Sequence, residues 1–209
     1  ATTTPFGIGG GRFHYSNKQE WVDTVYLGAW PRSVFEKNGL FDEELVRDQD
    51  DEYNYRLREH GGRILLNPKI ISKYFVRSSP YALWKQYFQY GFWKVRVLQK
   101  HPRQMSLRQF IPPLFVLELL FSLLIALFFN WGAILLLAVL VAYLLAAFVS
   151  ALKTGRALGF KAIILLPLAF AVIHLGYGSG FLWGLVKFSH RWGDKVGKVP
   201  QGRLLNVKQ

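Results

Sequence analysis

The chain has 209 residues, 51% hydrophobic and 16% aromatic, with 26 Lys+Arg against 13 Asp+Glu and a net charge of +13. That length allows one or two domains, the aromatic content excludes disorder over most of it, and the absence of cysteine excludes a disulfide scaffold. Residues 111–152 hold one charged side chain, Glu118, whereas residues 1–110 hold 17 basic and 11 acidic ones, so a polar domain precedes a membrane domain.

The chain opens on Ala1, its one methionine is Met105, and Ala1–Pro5 shows no basic stretch leading into an apolar core. No secretory signal is expected, and an amino-terminal segment is expected to be missing. Residues 5–12 carry four glycines and read as a loop; no strand precedes it and no helix clearly follows, so the phosphate-binding fingerprints fail. Val22–Trp30 alternates β-branched and aromatic residues, which predicts a buried strand. Arg32–Lys37 predicts a short helix stopped by Gly39. Asp48–His60 predicts a helix with an acidic start suited to the helix dipole and a Gly61-Gly62 stop. Ile64–Leu66 and Ile70–Tyr74 predict short strands about the Pro68 turn.

Residues 80–100 predict a helix carrying Trp84, Tyr87, Phe88, Tyr90, Phe92 and Trp93 among Lys85, Lys94, Arg96 and Lys100. Aromatic and basic residues together suggest seating at a membrane interface, where long basic side chains snorkel. Three apolar segments follow, about 111–129, 132–152 and 162–186, each long enough to cross a hydrocarbon core of about 30 Å. The Asn130-Trp131-Gly132 link predicts a tight hairpin. Lys153, Arg156 and Lys161 place the next loop, and with it the polar domain, in the cytoplasm. A third crossing would then export a tail carrying Lys187, Arg191, Lys195, Lys198, Arg203 and Lys208, against the positive-inside rule. Either the third segment is no simple crossing, Pro167, Gly176, Gly178, Gly180 and Gly184 permitting a break, or the earlier spans override charge.

The densest carboxylate cluster is Asp48, Asp50, Asp51 and Glu52, which taken alone is a charged first helical turn. His14, His60, His101, His174 and His190 show no metal-ligand spacing. His174 and Glu118 lie inside apolar segments, where an ionisable group is either a helix-to-helix hydrogen bond or functional.

Three motifs in order carry a family likeness: Gly28-Ala29-Trp30-Pro31-Arg32 ahead of Gly39-Leu40-Phe41-Asp42-Glu43; Gln49-Asp50-Asp51-Glu52-Tyr53-Asn54-Tyr55-Arg56-Leu57 ahead of Gly61-Gly62-Arg63-Ile64; and Gln89-Tyr90-Gly91-Phe92-Trp93. In these the chain resembles the family 2 glycosyltransferases, most closely the membrane-bound branch that builds exopolysaccharide of the succinoglycan type. The resemblance implies an α/β fold class, a partial GT-A-type domain over 1–79, then an interfacial helix and linker over 80–108, an all-α transmembrane region of about three helices over 109–188 and a basic tail over 189–209. It implies inverting transfer from a nucleotide sugar to a lipid-linked saccharide acceptor at the bacterial inner membrane, with no nucleic acid partner. By registration on Arg56-Leu57 the family's catalytic base falls on Asp50, since an attacking hydroxyl needs a carboxylate to take its proton. Asp51 and Glu52 are alternatively helix-start charges, with Glu52 placed to meet Arg56. Implied substrate contacts are Gly28, Ala29, Trp30, Arg32, Asp51, Gln89 and Trp93.

Two departures stand out. Gln49 replaces the usual Glu before the base, and Phe92 stands where processive members carry Arg, which favours one sugar per encounter. The resemblance further implies a divalent metal, Mg²⁺ or Mn²⁺, on an Asp-x-Asp pair in a missing donor-binding half, with no metal ligand in this chain. Asp48-Gln49-Asp50 falls in the base motif and is not assigned to metal. The rival reading is a noncatalytic basic module held at anionic lipid.

Overall fold

The computed structural model describes residues 4–7, 11–73, 75, 77–156 and 158–194. Its elements in chain order are β1 (Glu20–Val22), α1 (Arg32–Asn38), α2 (Gln49–Glu59), β2 (Ile64–Leu66), α3 (Pro80–Lys100), α4 (Ile111–Ala126), α5 (Asn130–Gly155) and α6 (Phe160–Lys187), joined by short 3-10 turns. The described chain is mostly helical, with one antiparallel pair in which Glu20 faces Leu66 and Val22 faces Ile64.

The predicted helices form with ends within three residues, and Gly39 and Gly61, both at φ 78°, end α1 and α2 as only glycine does readily. The strands fare worse. Of Val22–Trp30 only Val22 pairs, because Asn54 on α2 takes the polar groups that a neighbouring strand would have used. Its amide donates to Thr24 Oγ1 at 2.7 Å and to the Val25 carbonyl at 2.8 Å. Ile70–Lys73 stays out of the sheet, since β1 is spent once Glu20 has met Leu66; Tyr74 lies outside the described residues.

The polar region packs around Tyr53, whose ring lies 4.7 Å from Phe41, 5.5 Å from Phe35 and 5.8 Å from Trp30. Leu45, Leu57 and Ile64 are also buried in this region. Arg56 is sunk beside it, donating to Glu52 Oε1 at 2.8 Å, to the Leu40 carbonyl at 2.8 Å and to the Asn38 carbonyl. A buried charge persists only when paired and bonded in this way, so the guanidinium clamps the α1–α2 connection onto α2.

Three helical stretches are long and apolar enough to cross a membrane: Leu107–Ala126, which joins a 3-10 turn to α4, then α5 and α6. The chain reverses at Leu127–Phe129, and Gly132 lies inside α5, where an added Cβ would come within 2.4 Å of the Ala126 nitrogen. Phe115 near the start of α4 stacks on Tyr143 at 4.4 Å, so the second half of α5 outruns α4 and packs Ala147 and Ala151 against Leu166 and Phe170 of α6.

α6 is unbroken from Phe160 to Lys187 despite Pro167 and its glycines. The glycines serve close approach instead of a break. A Cβ at Gly176 would meet the Trp84 carbonyl at 2.9 Å, at Gly180 the Phe88 carbonyl at 2.0 Å and at Gly184 the Phe92 carbonyl at 2.7 Å. Successive α6 glycines thus meet successive turns of α3, which runs parallel to the second half of α6 with its backbone nearly in contact. Gly91 on α3 reciprocates against the Tyr177 carbonyl.

Candidate functional site

The candidate site is the amino-terminal end of α2, where Asp50, Asp51 and Glu52 occupy the first turn and Asp48 the residue before it. Each carboxylate meets a different fate. Glu52 is buried and receives Arg56 at 2.8 Å and His101 Nε2 at 3.1 Å, contacts that outweigh the effect of burial and hold its carboxyl below the usual range. Asp51 is ion-paired with Lys94 of α3, and its carbonyl accepts from Gln104 Nε2 at 3.0 Å. Asp48 has its Oδ2 enclosed without a hydrogen bond, and burial pushes its carboxyl up to about 7, opposed by Lys94 and reinforced by Asp51.

Asp50 is half-buried and has no ion-pair partner among the described residues. Burial raises its carboxyl, opposed by a hydrogen bond from the Leu27 backbone amide, with Asp51 adding to the rise. Leu27 at φ 53° and Asp48 at φ 63° are the two non-glycine residues with left-handed backbone among the described residues, and they flank this carboxylate. Such strain costs on the order of 1 kcal/mol per residue and concentrates at functional sites.

The other residues singled out by sequence divide into those near this turn and those elsewhere. Gln89 of α3 is brought to it, accepting from Arg47 Nε at 3.1 Å just ahead of Asp48. Gly28 follows Leu27, and the Trp30 ring folds over it, leaving 2.4 Å to an added Cβ. Trp30 then leans on Tyr53 at the end of the buried cluster, and Ala29 is exposed beside it. Arg32 is exposed and paired with Glu36 at 3.2 Å along α1. Trp93 turns away from the carboxylates, packing on Phe92 at 5.4 Å and on Phe188 at 5.8 Å.

Sequence reasoning missed the basic side chains that serve the cluster. Lys94, Arg96 and Lys100 were expected to face headgroups, but they are buried and ion-paired with Asp51, Glu44 and Asp42; Lys85 stays exposed. The partner carboxylates lie 43, 52 and 58 residues upstream, too far for local spacing to show the pairing. Periodicity within α3 alone cannot show it.

His174 settles into a helix-to-helix bond, with Tyr143 Oη 2.9 Å from its Nδ1, and its ring meets that of Phe6 in a T-shaped pair with centroids 5.3 Å apart. The opening loop is thereby docked on α5 and α6, while Ile8–Gly10 lie outside the described residues. No three His, Cys, Asp or Glu side chains converge among the described residues.

Over 192 residues, 91% of its length, the chain is 30% identical to the succinoglycan biosynthesis protein ExoA of Rhizobium meliloti (strain 1021), covering 56% of that protein. Over 186 residues, 88% of its length, it is 28% identical to a dolichyl N-acetyl-alpha-D-glucosaminyl phosphate 3-beta-D-2,3-diacetamido-2,3-dideoxy-beta-D-glucuronosyltransferase of Methanococcus voltae, covering 54% of it. The chain spans about half the length of these curated relatives. No family model matches the sequence, and no solved structure matches it. Along nine-tenths of its length the chain is thus similar to a succinoglycan biosynthesis protein and to a glycosyltransferase, a likeness that supports a glycosyltransferase of the family 2 type.

Proposed function

We propose that the chain is the acceptor-side and membrane-anchoring part of an inverting glycosyltransferase of cell-surface polysaccharide synthesis. In the proposed step an acceptor hydroxyl attacks the anomeric carbon of a nucleotide sugar, Asp50 takes the hydroxyl proton, and the nucleoside diphosphate departs with the bonding electrons. One observation carries the assignment. Of the four clustered carboxylates, Glu52 and Asp51 are committed to cations and Asp48 is enclosed, which leaves Asp50 reachable and unpaired among the described residues. A carboxyl raised by burial is also a better base near neutral pH than an ordinary one.

The reading extends to the partners. The donor nucleotide and the Mg²⁺ or Mn²⁺ on its diphosphate belong to a GT-A-type half outside these 209 residues. The acceptor is a lipid-linked saccharide, since Asp50 stands on a helix that α3 ties to the apolar helices. The polar region faces the cytoplasm of a bacterial inner membrane. Asp50→Asn in the full-length protein is expected to lower transfer from a nucleotide sugar by about 10²–10⁴-fold. Membrane insertion and melting temperature should hold. Turnover within tenfold of the parent would reject Asp50 as base and favour a noncatalytic membrane module.

A further inference from the structure

Between β2 and α3 the chain exposes Ile70, Ile71 and Phe75 at 78%, 84% and 85%, the most open apolar trio of the polar region. Isolated exposed apolar side chains need no explanation, but three within six residues, interleaved with the exposed cations Lys69, Lys73 and Arg77, do. None of these cations has an acidic partner among the described residues; Arg77 donates only to Gln86 Oε1, at 3.2 Å.

Register locates this segment against the membrane helices. α4 enters its apolar run just after Arg103 and Arg108, so its first turns mark the headgroup level. A Cβ on Gly178 of α6 would touch the Pro112 carbonyl at 2.4 Å, which puts Gly178 at that level. The first turns of α3 lie beside the same stretch of α6, Trp84 against Gly176 and Leu83 in the cluster built on Ile173 and Tyr177. Phe75 stands five residues ahead of Pro80, the first residue of α3, within a reach of about 17 Å. Apolar tips flanked by unpaired lysines, leading into a helix that begins at headgroup depth, match the chemistry of an anionic bilayer surface.

We propose that the β2–α3 segment dips Ile70, Ile71 and Phe75 into the boundary between headgroups and acyl chains of an anionic bilayer, with Lys69 and Lys73 on the lipid phosphates. This surface is separate from the carboxylate turn and does not depend on transfer activity. The absence of cysteine in this chain makes the test direct. Ile71→Cys, Phe75→Cys and, as an aqueous control on α1, Ser33→Cys are labelled with an environment-sensitive fluorophore in the full chain reconstituted into vesicles containing phosphatidylglycerol. The labels at positions 71 and 75 should lose most of their emission to brominated lipid and little to aqueous iodide, with the reverse at position 33. Lys69→Glu with Lys73→Glu should weaken the lipid quenching in anionic vesicles and leave it unchanged in phosphatidylcholine. Labels at positions 71 and 75 open to iodide, or shielded from both quenchers by protein, would overturn the proposal. Equal quenching of the parent and the double variant would overturn its electrostatic part.

Discussion

Asp48 adopts a left-handed backbone at the start of α2, makes no capping bond and keeps an oxygen enclosed without a partner. Its folded carboxyl, near 7, lies above the ordinary value of 3.8, so the folded state holds a proton that the unfolded chain releases. This contribution is fully present below about pH 4, is lost as pH rises toward about 7, and changes no further above. Asparagine keeps the shape, tolerates the left-handed region and carries no charge. Asp48→Asn should therefore raise the unfolding free energy at pH 8 by on the order of 1–2 kcal/mol and flatten its decline between pH 4 and 7. Equal stability of the two proteins at pH 8 in denaturant titration would mean that the buried charge is compensated. The existence of a carboxylate cluster was readable from composition, and so was the Glu52–Arg56 pair, which lies one helical turn apart. The division of labour among the four was not, because it depends on Lys94 and His101, whose approach only tertiary structure supplies.

At the scale of elements, helices were legible and strands were not. The acidic first turn and the glycine stops bound α2 by local chemistry, and long apolar runs announce α4, α5 and α6 whatever their neighbours. A strand needs a partner, and alternation over Val22–Trp30 could not reveal that Asn54 would occupy its polar groups. The α6 glycines misled for a related reason. Counted along the chain they look like helix breakers, but Gly176, Gly180 and Gly184 recur every four residues and form one face, on which α3 lies. Gly180→Val should be tolerated by an isolated helix but not by this pair, since its Cβ would sit 2.0 Å from the Phe88 carbonyl. A loss of about 3 kcal/mol is expected, with the melting temperature of the reconstituted protein as the readout. An unchanged melting temperature would show that α3 is held by its ion pairs with the polar region, independently of α6.

The same α3–α6 contact sets the topology of the molecule. Beyond α6, Arg191 reaches Glu44 at 2.6 Å, and Asp194 accepts from Arg96 at 3.2 Å, while Arg96 itself donates to Glu44 at 2.7 Å. Gln99 Nε2 adds a bond to the Phe188 carbonyl at 2.8 Å. These contacts hold the end of the third apolar helix against the polar region, and they tighten Glu44, whose carboxyl falls to about 2 as Arg96 and Lys100 overcome its burial. Two groups in direct contact lie on one side of a bilayer, whereas three complete crossings between them would part them. One of the three helices is therefore expected not to finish its crossing. α6 is the expected one: a third of its most apolar stretch is buried in protein, against 17% for the span ending in α4 and 11% for α5, and α3 covers its second half. On that expectation the positive-inside conflict is removed, since the cations at the end of α6 would stay with those of the polar region. Gly193 has open space for a side chain, so Gly193→Cys on α6's exit and Ser33→Cys on α1 are both accommodated. In sealed vesicles of one orientation, a membrane-impermeant maleimide should label both positions or neither. Labelling of one without the other would break the Glu44–Arg191 contact as a feature of the inserted protein and restore α6 as a full crossing.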